Sequence, residues 1–374
     1  MKTASNDSLG WTGGQYSLLR FLLGLFLAIL LLKTLVLGLS NTRAIGTPLD
    51  GLMPEELNLL YWHDSYSAHF LIFAFLIFFS LSFALGCKEK LIVPFLLWGL
   101  FCTAGYYLPL GAVELDALSF IFIVHIFTPS DPWGSWGKLL SGANLNWRLP
   151  KNCWILARCG LAFMFVSDLL ASVPEDPASS TYLLDSIVHF FELIFILSHF
   201  LPRYLWLGSI FGLLSALLGF GVPVWFLALL TFEPARISAK LRSPITIFYD
   251  GPCGLCQRWV NFCLSEDTKR TQIHFSPIQG ETFTKNIKSD DTAIDSIIVR
   301  DNSGNVFFRS EAVVQILYSL NGIWPALGSV LKLLPKGLAN FVYKYVALNR
   351  YRIFQSQTNY CPVVPKELST MFLP

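Results

Sequence analysis

The chain has 374 residues, of which 53% are hydrophobic, 15% aromatic and only 14% charged, with a mean hydropathy of +0.53. Ordinary soluble domains carry about 25% charged residues, so an all-soluble globular chain is excluded. A net charge of +2 without a basic run argues against nucleic acid or any other polyanionic partner.

In chain order, apolar runs of membrane-crossing length come first. Spans are expected near Leu18–Leu39, Tyr66–Gly86, Leu91–Leu110, Leu115–Phe127 (the shortest), Cys153–Ala171 and Tyr182–Leu201. The run Tyr204–Thr231 is interrupted by Gly219, Gly221 and Pro223. It reads either as one tilted helix or as two half-length pieces that turn back. The first run is too long, and lacks the small-residue site, for a cleavable signal peptide. Basic residues mark cytoplasmic loops. Lys88 and Lys90, then Lys138, Arg148 and Lys151, then Arg203 fall in even-numbered connections, whereas Asp50, Glu55, Glu56, Glu175 and Asp176 fall in odd ones. The N-terminus is therefore expected in the cytoplasm. If the last run turns back, the C-terminal region is cytoplasmic too, as Arg236, Lys240 and Arg242 suggest. The expectation is a multi-pass protein of the plasma (inner) membrane, with the lipid bilayer as a partner.

On the run Tyr182–Leu201, His189, Glu192 and His199 follow Asp185 at offsets of 4, 7 and 14. These offsets put all four on one helical stripe. Ionisable groups inside a span cost about 2.5–3.5 kcal/mol each at its centre, so they face partners or a polar cavity. Asp168 is the first partner expected, because the connection Ser172–Thr181 would join antiparallel neighbours. Arg158, Glu114, Asp116 and His125 are others. The stripe can be a proton relay, a metal site, a quinone headgroup site, or hydrogen-bonded pairs that hold the bundle together. His63, Asp64 and His69 are expected at the membrane surface, and Trp133, Trp136 and Trp147 as interfacial anchors.

The character changes near Glu233–Pro244, which gives two domains: residues 1–240, a polytopic helical bundle, and residues 244–374, an α/β unit. "PITIFYD" reads as a buried strand, "GPCGLC" as a turn and "LCQRWVNFCL" as a helix. "QIHFSPI" reads as a second strand and "DSIIVRDNSGNVFFRS" as a hairpin turning at Asn302–Gly304. "SEAVVQILYSL" is a helix capped by Ser310 with Glu311 in its first turn. Two amphipathic stretches follow, Ala326–Leu334 and Leu338–Leu348. This order is that of a thioredoxin-like unit.

Cys253 and Cys256 stand at the strand-to-helix turn. There the unpaired amides and dipole of the helix favour a thiolate. A second thiol near one turn further on can resolve a mixed disulfide. Half of a zinc site, completed by His274 and Cys361, is the alternative. Cys263 reads as core, and Cys87, Cys102, Cys153 and Cys159 as small apolar fillers. No cofactor is required by the cysteine pair; a quinone or metal belongs, if anywhere, to the bundle.

Residues 245–364 resemble the DCC family of thiol-disulfide oxidoreductases, named for one Asp and two Cys. The resemblance lies in "YDGPCGLCQRWVNF", "HFSPIQGE", "DSIIV", "RSEAVVQIL" and "NRYRIF", with a later Cys. It implies a thioredoxin-like fold with Asp250, Cys253 and Cys256 as the redox centre; Asp250 would tune the pair or take a proton from Cys256. Cys361 matches a family cysteine without an assigned role. Where thioredoxin has a proline before its third strand, this chain has Asp295–Ser296. More loosely, "GLMPEELN" and the segment from "YWHDSYSAHF" resemble the horizontally transferred transmembrane domain related to vitamin K-dependent γ-carboxylase; no lysine or histidine maps onto a carboxylase base. Two function classes follow. One is a membrane-tethered thiol-disulfide oxidoreductase or protein-disulfide reductase acting on protein or small-molecule disulfides. In the other, the bundle is a transporter or a lipid- or quinone-modifying enzyme and its redox domain is regulatory.

Overall fold

A computed structural model describes residues 10–38, 66–104, 110–136, 144–171, 182–237, 243–267, 273–287, 297–354 and 366–374. His63, Asp64, Lys138, Lys240, Arg242, Asp295, Ser296 and Cys361 lie outside them.

The N-terminal half is helical: α1 (Gly13–Gly38), α2 (Tyr66–Leu85), α3 (Glu89–Thr103), α4 (Ala112–Phe127), α5 (Lys151–Ala171), α6 (Tyr182–Ser198), α7 (Leu205–Gly219) and α8 (Val222–Leu230). Among the described residues, three helices are long and apolar enough to cross a membrane, within α1, α2 and α5. They overlap three of the six expected spans, Leu18–Leu39, Tyr66–Gly86 and Cys153–Ala171. α3 starts after Lys88, which is held at φ 45°, and contains Pro94. With 15 to 17 residues, α3, α4, α6 and α7 reach about 22–26 Å, less than the hydrocarbon thickness of about 30 Å.

The interrupted run is two helices, as the second alternative had it. α7 stops at Phe220, α8 starts after Gly221, and the Trp225 indole donates back to the carbonyls of Ala216 (2.8 Å) and Phe220 (2.9 Å). α8 packs among α4, α5 and α7. The core contains Leu27, Phe73, Phe83, Phe122, Phe165 and Phe195, while Ile29, Val36, Phe75, Phe78 and Leu170 are exposed. An apolar exterior around an apolar core is the pattern expected of a bundle with lipid around it.

Arg158, His125 and two tryptophans depart from expectation. Arg158 does not meet the stripe's carboxylates. It lies over the rings of Trp154 and Phe195 and donates to Ser209 Oγ (2.7 Å), Ser198 Oγ (3.0 Å) and the Leu205 carbonyl (3.2 Å). His125 Nδ1 pairs with the Tyr16 hydroxyl at 2.7 Å. His69 is buried in the first turn of α2. Trp147 is buried against Tyr16, and Trp133 meets Phe262 of the C-terminal half with the rings tilted by 51°. These two tryptophans join parts of the molecule instead of anchoring it; Trp136 alone of the three is exposed.

The C-terminal half holds a four-stranded mixed sheet of order β2-β1-β3-β4: β1 (Ile245–Tyr249), β2 (Ile273–Pro277), β3 (Ile298–Asp301) and β4 (Val306–Phe308). β1 runs parallel to β2, with Ile247 opposite Phe275, and antiparallel to β3, with Ile247 opposite Val299. The β3–β4 hairpin turns through Gly304 at φ 86°. Around the sheet lie α9 (Gly254–Glu266), α10 (Glu281–Asn286), α11 (Arg309–Ser319), α12 (Trp324–Leu333) and α13 (Lys336–Phe354). Their apolar faces meet the sheet at Ile245, Ile247, Val260, Phe262, Ile316 and Trp324. Ser310 is not the cap of α11: Phe308 holds that position, and the Ser310 hydroxyl donates to Asn340 on α13.

The two halves touch. Glu266, wholly buried at the end of α9, accepts from the Thr12 hydroxyl, the Gly14 amide (2.9 Å) and the Trp324 indole (2.7 Å). Arg148 donates to the Ser265 carbonyl at 3.3 Å. The α/β half therefore lies at the end of the bundle where α1 begins.

Candidate active site

β1 ends at Tyr249, and the chain turns through Asp250–Pro252 into α9. The Cys253 amide donates to the Asp250 carbonyl (3.2 Å) and the Gln257 side chain to the Gly251 carbonyl (2.7 Å). Cys253 is the N-cap of α9, and its sulfur accepts the Cys256 amide at 3.4 Å. A cap usually offers oxygen to the orphan amides of the first turn. Here sulfur takes that place, and the amide favours the thiolate.

The electrostatics agree. The Cys253 thiol is pulled down to about 7, chiefly by the hydrogen bond from the Cys256 side chain; burial opposes this, and the Cys256 amide and the Arg350 guanidinium assist. The Cys256 thiol is pushed up by giving that hydrogen bond and by burial. One proton thus stays on Cys256 while Cys253 ionises near neutrality. Cys253 is fully buried, whereas Cys256 is partly exposed and lines a cavity of about 200 Å³ with Asp250, Trp259, Ile297, Tyr343 and Arg350.

Asp250 sits in this shell, partly buried and doubly held. Oδ2 meets Arg350 Nη2 at 3.2 Å and Oδ1 accepts from Gln279 Nε2 at 3.0 Å. The Tyr343 hydroxyl accepts the Ile297 amide at 2.8 Å, and burial raises this phenol so that it stays protonated. The amide entering β3 beside the cysteines is thereby occupied from within the chain.

The three residues expected at the redox centre are thus brought together. Arg350, Gln279 and Tyr343 were not singled out in the sequence. Arg350 and Gln279 stand within "NRYRIF" and "HFSPIQGE", motifs quoted for the family without a role. Among the described residues His274, on β2, joins no metal-ligating group with the cysteines, and Cys361 lies outside them. Cys263 is core, Cys102 and Cys153 are buried, and Cys159 is exposed.

The stripe on α6 divides. His189 Nε2 lies 3.4 Å from Asp168 Oδ2, and these two with Glu192 bring their ligand atoms within 4.8 Å of one another. His199 turns to the carbonyls of Phe195 (3.1 Å) and Ile196 (3.2 Å), and half-buried Asp185 lies outside the group.

A buried sulfur capping a helix after a sheet strand, with a second thiol one turn on, defines a dithiol site of the oxidoreductase class. Comparison with known proteins agrees: residues 247–356 match the family model described as DCC1-like thiol-disulfide oxidoreductase. A chloroplastic DCC family protein of Arabidopsis thaliana is 33% identical over 124 residues, covering 33% of this chain and 71% of that protein. The uncharacterized protein YuxK of Bacillus subtilis is 29% identical over 130 residues, covering 34% of this chain and 93% of its own. No solved structure matches. The chain belongs to the DCC family through its C-terminal third; these matches do not reach the helical bundle.

Proposed function

We propose that the C-terminal half is a thioredoxin-like thiol-disulfide oxidoreductase domain, tethered to a membrane by the N-terminal bundle. The strand order and the mixed sheet support the fold reading. The observation that carries the chemistry is the Cys253 sulfur at the helix cap, hydrogen-bonded by the Cys256 amide and assisted by Arg350.

In reduction, the Cys253 thiolate attacks one sulfur of a substrate disulfide. The other sulfur leaves as a thiolate and takes up a proton. Cys256 then gives up its proton and attacks Cys253 Sγ in the mixed disulfide, releasing the second substrate thiol. Two electrons pass to the substrate and leave a Cys253–Cys256 disulfide; oxidation runs the same steps backward. Protein or small-molecule disulfides are the substrate class, and this chemistry needs no cofactor. Asp250 positions Arg350 beside the thiolate. Each of its oxygens accepts a hydrogen bond, and a carboxylate oxygen has a second lone pair with which to take a proton from Cys256 during exchange.

A second reading rests on access: Cys256, not Cys253, lines the cavity. Trapping separates the two in the full-length protein. With a peptide disulfide, Cys256→Ser should accumulate a mixed disulfide through Cys253 and Cys253→Ser should not. Trapping only in Cys253→Ser assigns the attack to Cys256; trapping in neither removes disulfide exchange altogether.

The domain shares an end of the bundle with the start of α1, so it shares the side of the N-terminus, which the loop charges place in the cytoplasm. A reducing compartment favours the reductase direction. The alternative, a bundle that transports or modifies a lipid or quinone under redox control, predicts that bundle substitutions abolish activity while peptide-disulfide exchange survives.

A further inference from the structure

Within the helical bundle, one cluster has no part in thiol exchange. His189 and Glu192, three residues apart on α6, project on one face, and Asp168 reaches them from α5. The His189 and Asp168 atoms are 3.4 Å apart, and one ligand atom from each of the three lies within 4.8 Å of the others. Glu192 is wholly buried. Its Oε1 accepts from Ser215 on α7 at 3.4 Å, while Oε2 has no hydrogen-bond partner among the described residues. Among these residues no Lys or Arg forms an ion pair with Glu192; Arg158 is spent on Ser198 and Ser209. A buried carboxylate oxygen without a donor is costly, and here it shares its space with an imidazole and a second carboxylate.

We propose that Asp168, His189 and Glu192 bind a divalent transition-metal cation of the zinc class. One nitrogen and two oxygen donors suit zinc, which takes His at about 2.0–2.1 Å and carboxylate oxygen at about 2.0–2.2 Å. Tetrahedral bonds of that length put ligand atoms about 3.3 Å apart, so a small side-chain closure from the present separations seats the ion. Two carboxylates and a neutral imidazole carry two negative charges, which the cation neutralises. Ser215 orients Glu192 from outside the ligand set, as hydrogen-bond donors commonly do for ligating carboxylates. Three protein ligands leave one position open, and the Asp168 and His189 side chains are 34% and 30% exposed rather than sealed in the core. The inference does not rest on the thiol chemistry.

The test uses full-length protein in detergent carrying Cys253→Ser and Cys256→Ser, so that the paired thiols of the redox site cannot bind the probe. After chelator treatment it is equilibrated with zinc ions, and metal is counted by mass spectrometry. One zinc per chain is expected, with affinity reduced about tenfold or more by each of Glu192→Gln, His189→Gln and Asp168→Asn. No stoichiometric zinc, or affinity indifferent to all three changes, overturns the site. Should those variants fail to accumulate, zinc-edge X-ray absorption on the parent decides: a shell of N and O near 2.0–2.1 Å is expected, and sulfur near 2.3 Å overturns it.

Discussion

At the scale of single residues, the site depends on how charge is arranged around one sulfur. Arg350 lowers the Cys253 thiol and Asp250 raises it; the ion pair between them keeps the guanidinium near the thiolate. Arg350→Gln should raise the Cys253 thiol and slow its alkylation at pH 7 by about two- to fivefold, with partial rescue by Arg350→Lys. In the parent the alkylation rate should rise with pH through about 7 and then level off. Linkage has the same sign. A thiol depressed on folding stabilises the reduced protein above its unfolded value of about 9, and this is lost as pH falls through about 7. A flat profile across this window would show that the cap does not stabilise the thiolate. Cys253 and Cys256 were legible in the sequence, because spacing and a turn suffice to put them at a helix start; Asp250 came with the resemblance to the DCC family. Arg350 was not, because it comes from a helix 100 residues away.

At the scale of elements, close approach of helices depends on what is absent. Gly208 and Gly212 lie one turn apart on α7 and face α6. A Cβ at Gly212 would lie 2.7 Å from Phe195 Cδ2, and one at Gly208 2.0 Å from Ser198 Oγ. Small residues at this spacing let helices pack backbone to backbone. Gly212→Leu should destabilise the α6–α7 pair by about 1–3 kcal/mol, read as a lower melting temperature in detergent and loss of the arrangement around Ser215 and Glu192. An unchanged melting temperature would mean that α6 and α7 are not in contact. The same helices show where reading the sequence stopped short. Hydropathy marks apolar runs but not their usable length, so Leu91–Leu110 reads as a span although its helix ends at Thr103.

At the scale of the whole molecule, Glu266 joins the halves. Its carboxylate holds the Thr12 hydroxyl, the Gly14 amide and the Trp324 indole, and burial pushes its proton affinity up against those hydrogen bonds. Glu266→Ala would leave these donors buried without an acceptor, at about 1–3 kcal/mol each. It should loosen the α/β half from α1, seen as faster hydrogen exchange at Trp11–Tyr16 together with residues of α12. Unchanged exchange would mean that the halves are not held by this carboxylate. The sidedness follows from the same junction. A cysteine placed at exposed Ser303 should react with a membrane-impermeant maleimide only after cells are permeabilised; labelling of intact cells would put the domain outside.

The sequence alone determined what local pattern controls: a lipid-compatible composition, a boundary near Pro244, alternation of strand and helix beyond it, and two thiols at a helix start. Interruption by Gly219, Gly221 and Pro223 marked the break between α7 and α8, because glycine and proline act on the backbone wherever they stand. Tertiary structure decided what depends on residues far apart in the chain. It turned α8 back into the bundle, gave Arg350 to Asp250 and Tyr343 to Ile297, and divided the α6 stripe so that Glu192 faces His189 and Asp168 while His199 turns to its own helix. Helical periodicity assigns a side chain to a face, but the neighbour that meets that face is set by packing, and packing decides which charges are buried together.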